Sequence, residues 1–390
     1  MTKVDQRSSP RSFAALAKKV GLAVVALGVV FVLADSCFRV YAHLTYSPVP
    51  ESVLYEDNPA LGAWWHRPNS RMVVTFRGTN PHIVSYNAFG MRGPSPKTVE
   101  KPAGVFRIVI LGESSTEDAF VADGKSWPEV LERQLNAALG SNRIEVLNLG
   151  CAGYSLKTSL RNLEVNGLRF KPDMVITYHG NNDFWKAFMA WPHVKWVETH
   201  VDYEKRPSTW LERLLCKSIL IDRLNRQVYY AGGARNRAFL HRYWSTPDAA
   251  KTDMDLTGVE AESDRELARL LDLSRTNGFR LVLGIQATLI KRELTEPELL
   301  QMWEVLRWSC DGQLIRWGTF VDGVRRVKDL QRQFAFDHGL PCIDVEEAVP
   351  KSTANFIDHI HSTEHGSAAI AGAMSQYLLE HEELLITTRQ

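Results

Sequence analysis

The sequence predicts an α/β fold: a three-layer α/β/α sandwich around a parallel five-stranded sheet, with an N-terminal transmembrane helix and a helical insertion. Three observations predict it. Short apolar, partly β-branched runs recur from Val105 onward, at Phe106–Leu111, Ile144–Leu149, Met174–Tyr178, Arg280–Ile285 and Pro341–Val345. Runs of that kind suit strands buried on both faces of a parallel sheet. Stretches with helical character separate them, at Trp127–Leu139, Ser155–Leu168, Glu260–Thr276 and Gly323–His338, and such alternation folds into right-handed crossover units. Near the N-terminus, Val20 to Ala34 is almost unbroken apolar sequence.

Taken in order, the chain begins with Lys3, Arg7, Arg11, Lys18 and Lys19 ahead of that run. A membrane span needs roughly 17–25 residues, and the flanks through Leu44 extend the run to that length. Basic residues before it predict a cytoplasmic N-terminus and an exported remainder. The rival is a cleaved signal peptide. No small-x-small site follows the run, and Ala34-Asp35-Ser36-Cys37 places an acidic residue inside a poor lipoprotein-type signal. An uncleaved signal anchor is therefore expected over 1–45, with the rest on the periplasmic side of a bacterial inner membrane.

Residues 46–102 are rich in Pro, Gly, Asn and aromatics. Arg71–Phe76 and His82–Tyr86 suggest two short strands around the turn Gly78-Thr79-Asn80-Pro81, hence a small β-rich extension. The main domain is expected over 103–390. Within it, 184–251 breaks the strand–helix rhythm with tryptophans and basic residues, and Leu211–Val228 has an amphipathic helical look. This insertion reads as a lid or membrane-facing cap, or as a helical subdomain with its own packing. Gly339 suits the end of the preceding helix, and a final helix is expected from Ser367 to Leu379.

Composition narrows the classes of function. The 390 residues carry a net charge of +1, with 45% hydrophobic and 23% charged residues. That balance, with no dense basic stripe, gives no case for nucleic acid. The cysteines at 37, 151, 216, 310 and 342 are scattered and odd in number, which suggests neither a disulfide framework nor a zinc site.

Four short blocks carry chemistry: Gly112-Glu113-Ser114-Ser115-Thr116, Asn148-Leu149-Gly150-Cys151-Ala152-Gly153, Gly180-Asn181-Asn182-Asp183 and Asp358-His359-Ile360-His361. The first three each follow a predicted strand, where open α/β sheets form their ligand crevice. Ser114 can offer a hydroxyl there, or Ser114 or Ser115 can cap a helix. Gly153 can present its N–H to substrate, or serve ordinary loop geometry. The Asn182 amide can donate to a developing oxyanion, or sit in an Asx turn with Asp183. His361 can take the serine proton while Asp358 fixes the ring's tautomer. His359, His361 and His365 also allow a metal reading, but no helical H-E-x-x-H is present and a metal leaves the serine-side blocks unexplained.

These blocks, from about Val105 to the C-terminus, resemble the SGNH (GDSL-like) hydrolases, whose fold is flavodoxin-like. Gly112-Glu113-Ser114 stands where the family usually has Gly-Asp-Ser. Gly180-Asn181-Asn182-Asp183 stands for Gly-x-Asn-Asp, and Asp358-x-x-His361 for the last block. The resemblance implies a Ser114 nucleophile with Asp358 and His361, and oxyanion donors from Ser114 N–H, Gly153 N–H and Asn182. Glu113 departs from the common Asp and lengthens the side chain. Ser85-Tyr86-Asn87-Ala88-Phe89-Gly90-Met91-Arg92-Gly93-Pro94 is similar to the segment before the catalytic domain in membrane-anchored bacterial members. The α/β-hydrolase elbow Gly-x-Ser-x-Gly is absent, because position 116 is Thr.

The expected activity is hydrolysis of an ester on an extracytoplasmic carbohydrate or lipid through a Ser114 acyl-enzyme, with no cofactor and no metal. The alternatives are an O-acyltransferase acting on an exported glycan with the same site, and a non-catalytic binding module that keeps the fold. The expected partners are the acylated carbohydrate or lipid substrate and the membrane.

Overall fold

The structure is a computed structural model that describes residues 10–45, 54–74, 81–191, 194–196, 218, 233–302 and 305–386. The chain opens with helix α1 (Pro10–Thr45), in which Lys18–Cys37 is long and apolar enough to cross a membrane. Its apolar side chains lie open along their length, with Leu22 72% and Leu27 69% exposed.

Two hairpins follow. Strands β1 (Tyr55–Asn58) and β2 (Ala63–His66) pair antiparallel, as do β3 (Arg71–Val74) and β4 (His82–Ser85). The second is the hairpin expected from sequence, although residues 75–80 lie outside the described residues. The first was not anticipated.

The main sheet contains β5 (Phe106–Gly112), β6 (Ile144–Asn148), β7 (Met174–His179), β9 (Arg280–Ile285) and β12 (Cys342–Ile343). All neighbours are parallel, in the order β12-β9-β7-β5-β6. This is the five-stranded α/β sandwich the sequence predicts. The period-2 alternation of strand side chains builds its two cores. Ile108, Ile110 and Ile176 enter one, and Val109, Leu111 and Val175 enter the other. Helices α3 (Trp127–Ala138) and α11 (Glu364–Glu380) cover the first face through Leu131, Leu135, Ile370 and Met374. Helices α4 (Leu156–Asn162) and α7 (Ala261–Asn277) cover the second through Leu160, Leu267 and Leu270. The remaining helices are α2 (Ser114–Glu117), α5 (Asn181–Met189), α6 (Gly233–Ser245), α8 (Glu296–Leu299), α9 (Trp317–Asp337) and α10 (Val345–Ala348).

Several expected bounds shift, for local reasons. The last strand is only Cys342–Ile343, because the Asp344 carboxylate caps α10 by accepting from Glu347 N. The stretch expected as one helix over Ser155–Leu168 is α4 followed by a π-helical turn, Leu163–Gly167, and a 3₁₀ turn. Helix α9 begins at Trp317, ahead of the expected Gly323. Gly323 looks like a poor helix residue, but here it is a packing notch: a Cβ there would lie 2.1 Å from the Phe184 ring.

The insertion is only partly described. Phe184 and Trp185 continue α5 and are buried in the core. Leu211–Val228 lies outside the described residues apart from Ser218. An unforeseen antiparallel sheet joins β8 (Val194–Trp196), β10 (Trp308–Cys310) and β11 (Gln313–Leu314). Its two-residue turn, Asp311-Gly312, has positive φ at both positions (49° and 80°), the requirement of a tight hairpin.

Candidate active site

Parallel strands all end at one edge of the sheet, and the loops that leave that edge carry the blocks. Ser114 starts α2 two residues beyond β5, Gly153 follows β6, and Asn182 lies in the first turn of α5 after β7. β5 is flanked by β6 on one side and β7 on the other, so the chain reverses its winding there, the usual place for a crevice in such sheets.

The fourth block arrives from the other end of the chain. His361 Nε2 lies 2.8 Å from Ser114 Oγ, across 247 positions. Its Nδ1 lies 2.7 Å from Asp358 Oδ2, so Nδ1–H donates to the carboxylate and Nε2 is left as acceptor for the serine hydroxyl. The other oxygen, Asp358 Oδ1, accepts from Ile360 N and His361 N at 2.9 and 2.7 Å. One buried carboxylate thus shapes its own loop and orients the ring. Burial alone would raise its pKa, but the neighbouring His361 holds it far below the usual carboxylate range. The His361 ring is 12% exposed and rests against Phe120, centroid to centroid 4.3 Å.

Ser114 is not a cap: Glu113 occupies the N-cap position, and no side chain caps α2. Neither Ser114 N–H nor Gly153 N–H has a partner among the described residues. Gly153 adopts φ +75°, a conformation that disfavours a Cβ, and a Cβ there would also lie 3.0 Å from Trp64. Asn182 Nδ2 donates one hydrogen to Tyr154 O at 3.0 Å, which fixes the amide and leaves the second hydrogen uncommitted. Asp183 makes no Asx turn. Its Oδ1 accepts from Leu156 N at the start of α4, 2.8 Å away.

The long side chain of Glu113 spans the crevice floor. Its Oε2 accepts from Asn182 N at 3.0 Å and its Oε1 from Gln286 Nε2 at 2.5 Å. Gln286, just past β9, also donates to Ser115 Oγ and accepts from Asn181 N. Burial, and then the Asp183 charge, push the Glu113 carboxyl up to about 8. Sequence reasoning missed Gln286, although a polar residue directly after a strand was the same signal that marked Ser114 and Asn182.

A second group it missed lies behind Gly153. Buried Glu117 accepts from Tyr55 OH at 2.9 Å, from Tyr86 OH, and from Ala152 N at 2.7 Å. His66 Nε2 lies 3.2 Å from it. Burial opposes the charge, but His66 and these hydrogen bonds hold the carboxyl at about 2. Next to it, the Asp118 carboxylate receives Ser362 Oγ, Ser367 Oγ and Trp127 N. Arg92 Nη2 donates to Val121 O at 2.5 Å and Nη1 to the carbonyls of Glu117 and Asp118. The loop after β6 is therefore held from below by residues of both hairpins.

The histidines considered as metal ligands go to separate partners. His361 faces Ser114, His365 Nδ1 lies 2.7 Å from Asn355 Oδ1, and buried His359 sits 6.4 Å from the His361 ring. Among the described residues, His66, Glu117 and Cys151 do bring potential ligand atoms within 4.8 Å of one another. Both oxygens of that carboxylate are already committed to Tyr55, Tyr86 and Ala152.

The family model described as "GDSL-like Lipase/Acylhydrolase family" matches residues 110–369. No curated protein matches the chain. Among solved structures it is similar to Axe2, an acetylxylan esterase from Geobacillus stearothermophilus, at 14% identity over 70% of this chain and 94% of that one, with TM-score 0.42. It is similar as well to LAE5, an alpha/beta hydrolase enzyme from the metagenome of Lake Arreo, Spain, at 16% identity over the same shares, with TM-score 0.41.

Proposed function

The chain belongs to the GDSL-like lipase/acylhydrolase family and is an ester-bond hydrolase; on that premise we propose that it works through an acyl-enzyme on Ser114. His361 Nε2 takes the hydroxyl proton as Ser114 Oγ attacks the ester carbonyl. Asp358 keeps the Nδ1–H tautomer and stabilises the imidazolium that forms. The tetrahedral oxyanion accepts from Ser114 N–H, Gly153 N–H and the free Nδ2 hydrogen of Asn182. The imidazolium then protonates the departing alcohol, and water, deprotonated by the same ring, releases the acid.

The observation that carries this reading is the 2.8 Å approach of His361 Nε2 to Ser114 Oγ, with Asp358 on the ring's far side. The test is hydrolysis of p-nitrophenyl acetate by the full chain. Ser114→Ala is expected to lower kcat by about 10⁴-fold or more. Equal rates would remove Ser114 from the mechanism.

The substrate is an ester carried by an extracytoplasmic carbohydrate or lipid, reached from the membrane surface. The exposed apolar length of α1, Lys18–Cys37, supports anchoring, and the basic residues before it support a cytoplasmic N-terminus. Protease added to intact spheroplasts should digest the hydrolase domain and spare the N-terminal end.

A further inference from the structure

We propose that Gln286 is a positioning residue for the oxyanion site: it stands in for the absent cap of α5 and, through Glu113, fixes the Asn182 amide beside Ser114. This rests on the esterase reading above and deepens it. Ser114 N–H and the Asn182 side chain approach the reacting carbonyl from two separate loops, one after β5 and one after β7. Their hydrogens must converge on one oxygen, so the two loops have to be held in register with each other.

Helix α5 does not hold its own start. Its N-cap is Gly180, at φ 149°, and no side chain caps it from there. The usual cap is a Ser, Thr, Asp or Asn oxygen that accepts from the first free N–H groups of the helix. Here the oxygens come from other strands. Gln286 Oε1 accepts from Asn181 N at 2.8 Å, and Glu113 Oε2 accepts from Asn182 N at 3.0 Å. Asn181 and Asn182 are the first two residues of α5.

The two acceptors are themselves joined. Gln286 follows β9, which lies on the far side of β7 from β5, and its side chain reaches past the end of β7 to the loop after β5. There its Nε2 donates to Glu113 Oε1 at 2.5 Å and to Ser115 Oγ at 2.7 Å. These are the residues on either side of Ser114. The Gln286 side chain is fully buried, and both its NH₂ and its oxygen are engaged. An inverted amide would set its NH₂ against the Asn181 N–H and its oxygen against the Glu113 carboxylate, so its neighbours allow one orientation. Glu113 receives an N–H on each oxygen, which is the arrangement of the ionised carboxylate. Burial and the Asp183 charge push that group up to about 8, so pH 9 is the condition for testing it.

The test is hydrolysis of p-nitrophenyl acetate at pH 9 by the full chain in nanodiscs, in a double-mutant cycle with Asn182→Ala. Gln286→Met keeps the volume and removes all three contacts. It should lower kcat about 10–100-fold, short of the roughly 10²–10³-fold that outright loss of an oxyanion donor costs, with KM within about threefold of wild type. In the Asn182→Ala background the same change should cost about threefold or less, because the group it positions is gone. Glu113→Gln, of equal size, breaks the relay at its other member, since its NH₂ must then face either Asn182 N–H or the Gln286 NH₂. It should show the same pattern, and it decides the matter if circular dichroism finds Gln286→Met unfolded. An unchanged kcat, a loss confined to KM, or a loss of equal size with and without Asn182 would overturn the proposal. Wild-type hydrolysis by Ser114→Ala sinks the esterase reading. An inactive Ser114→Ala beside a Gln286→Met of wild-type kcat sinks this inference alone.

Discussion

The Ser362 hydroxyl donates to the Asp118 carboxylate at 2.7 Å, across 244 positions of chain. Ser362 directly follows His361, and Asp118 directly follows the helix that begins at Ser114. One buried hydrogen bond thus ties the loop of the ring to the turn of the hydroxyl. Ser367 and Trp127 complete the carboxylate's partners.

Removing that tie should loosen the Ser114–His361 approach without touching substrate. Losing a donor to a buried carboxylate costs roughly 1–3 kcal/mol. Ser362→Ala is expected to lower kcat on p-nitrophenyl acetate about 5–50-fold while KM stays close to wild type. Ser362→Thr keeps the hydroxyl and should recover most of the loss. An unchanged kcat in the alanine variant would deny Ser362 a positioning role.

The Asp358 carboxylate accepts from three donors, two backbone amides and the ring Nδ1–H. Asp358→Asn can keep the backbone bonds through its remaining oxygen, but its NH₂ then faces Nδ1 and favours the tautomer with the proton on Nε2. That ring cannot accept from Ser114. The expectation is a kcat reduced by about 10³–10⁴-fold, with folding retained by circular dichroism. A loss below tenfold would show that the ring does not need this partner.

Asp183 should make stability depend on pH. Burial pushes its carboxyl from 3.8 up to about 6. Between those values the folded protein holds a proton that the unfolded chain has released, so stability falls as pH rises from about 4 to 6 and stays lowered above. Asp183→Asn keeps an oxygen for Leu156 N and removes the ionisation. Its Tm should exceed wild type at pH 8, by a free energy on the order of 1–3 kcal/mol, and the difference should shrink toward pH 4. A difference independent of pH would place the effect elsewhere.

Much of this architecture was legible because the physics was local. Strands such as Phe106–Leu111 are apolar on both faces except at Arg107, and motif residues sit immediately past their ends. What stayed hidden depended on partners distant in sequence. Gly323 reads as a weak helix position until the Phe184 ring is seen to need its missing side chain. Gln286 reads as a loop residue until Glu113 reaches it across the crevice. Trp64 reads as one aromatic among many until its indole lies against Gly153. The π-helical turn at Leu163–Gly167 inside the Ser155–Leu168 stretch carried no sequence signal either; there Asn166 Nδ2 bonds Asn162 Oδ1 in the interior.

Arg92 carries a practical warning for anyone trimming the chain. Its fully buried guanidinium holds three backbone carbonyls just after Ser114, and His66, Tyr55 and Tyr86 surround Glu117 from the same upstream segment. A version begun at residue 103 would keep every motif residue yet strip these counterparts away, leaving the buried Glu117 carboxylate with Ala152 N–H and three backbone carbonyls without the Arg92 guanidinium. The piece ahead of the sheet behaves as the keystone of an arch whose visible stones all stand downstream.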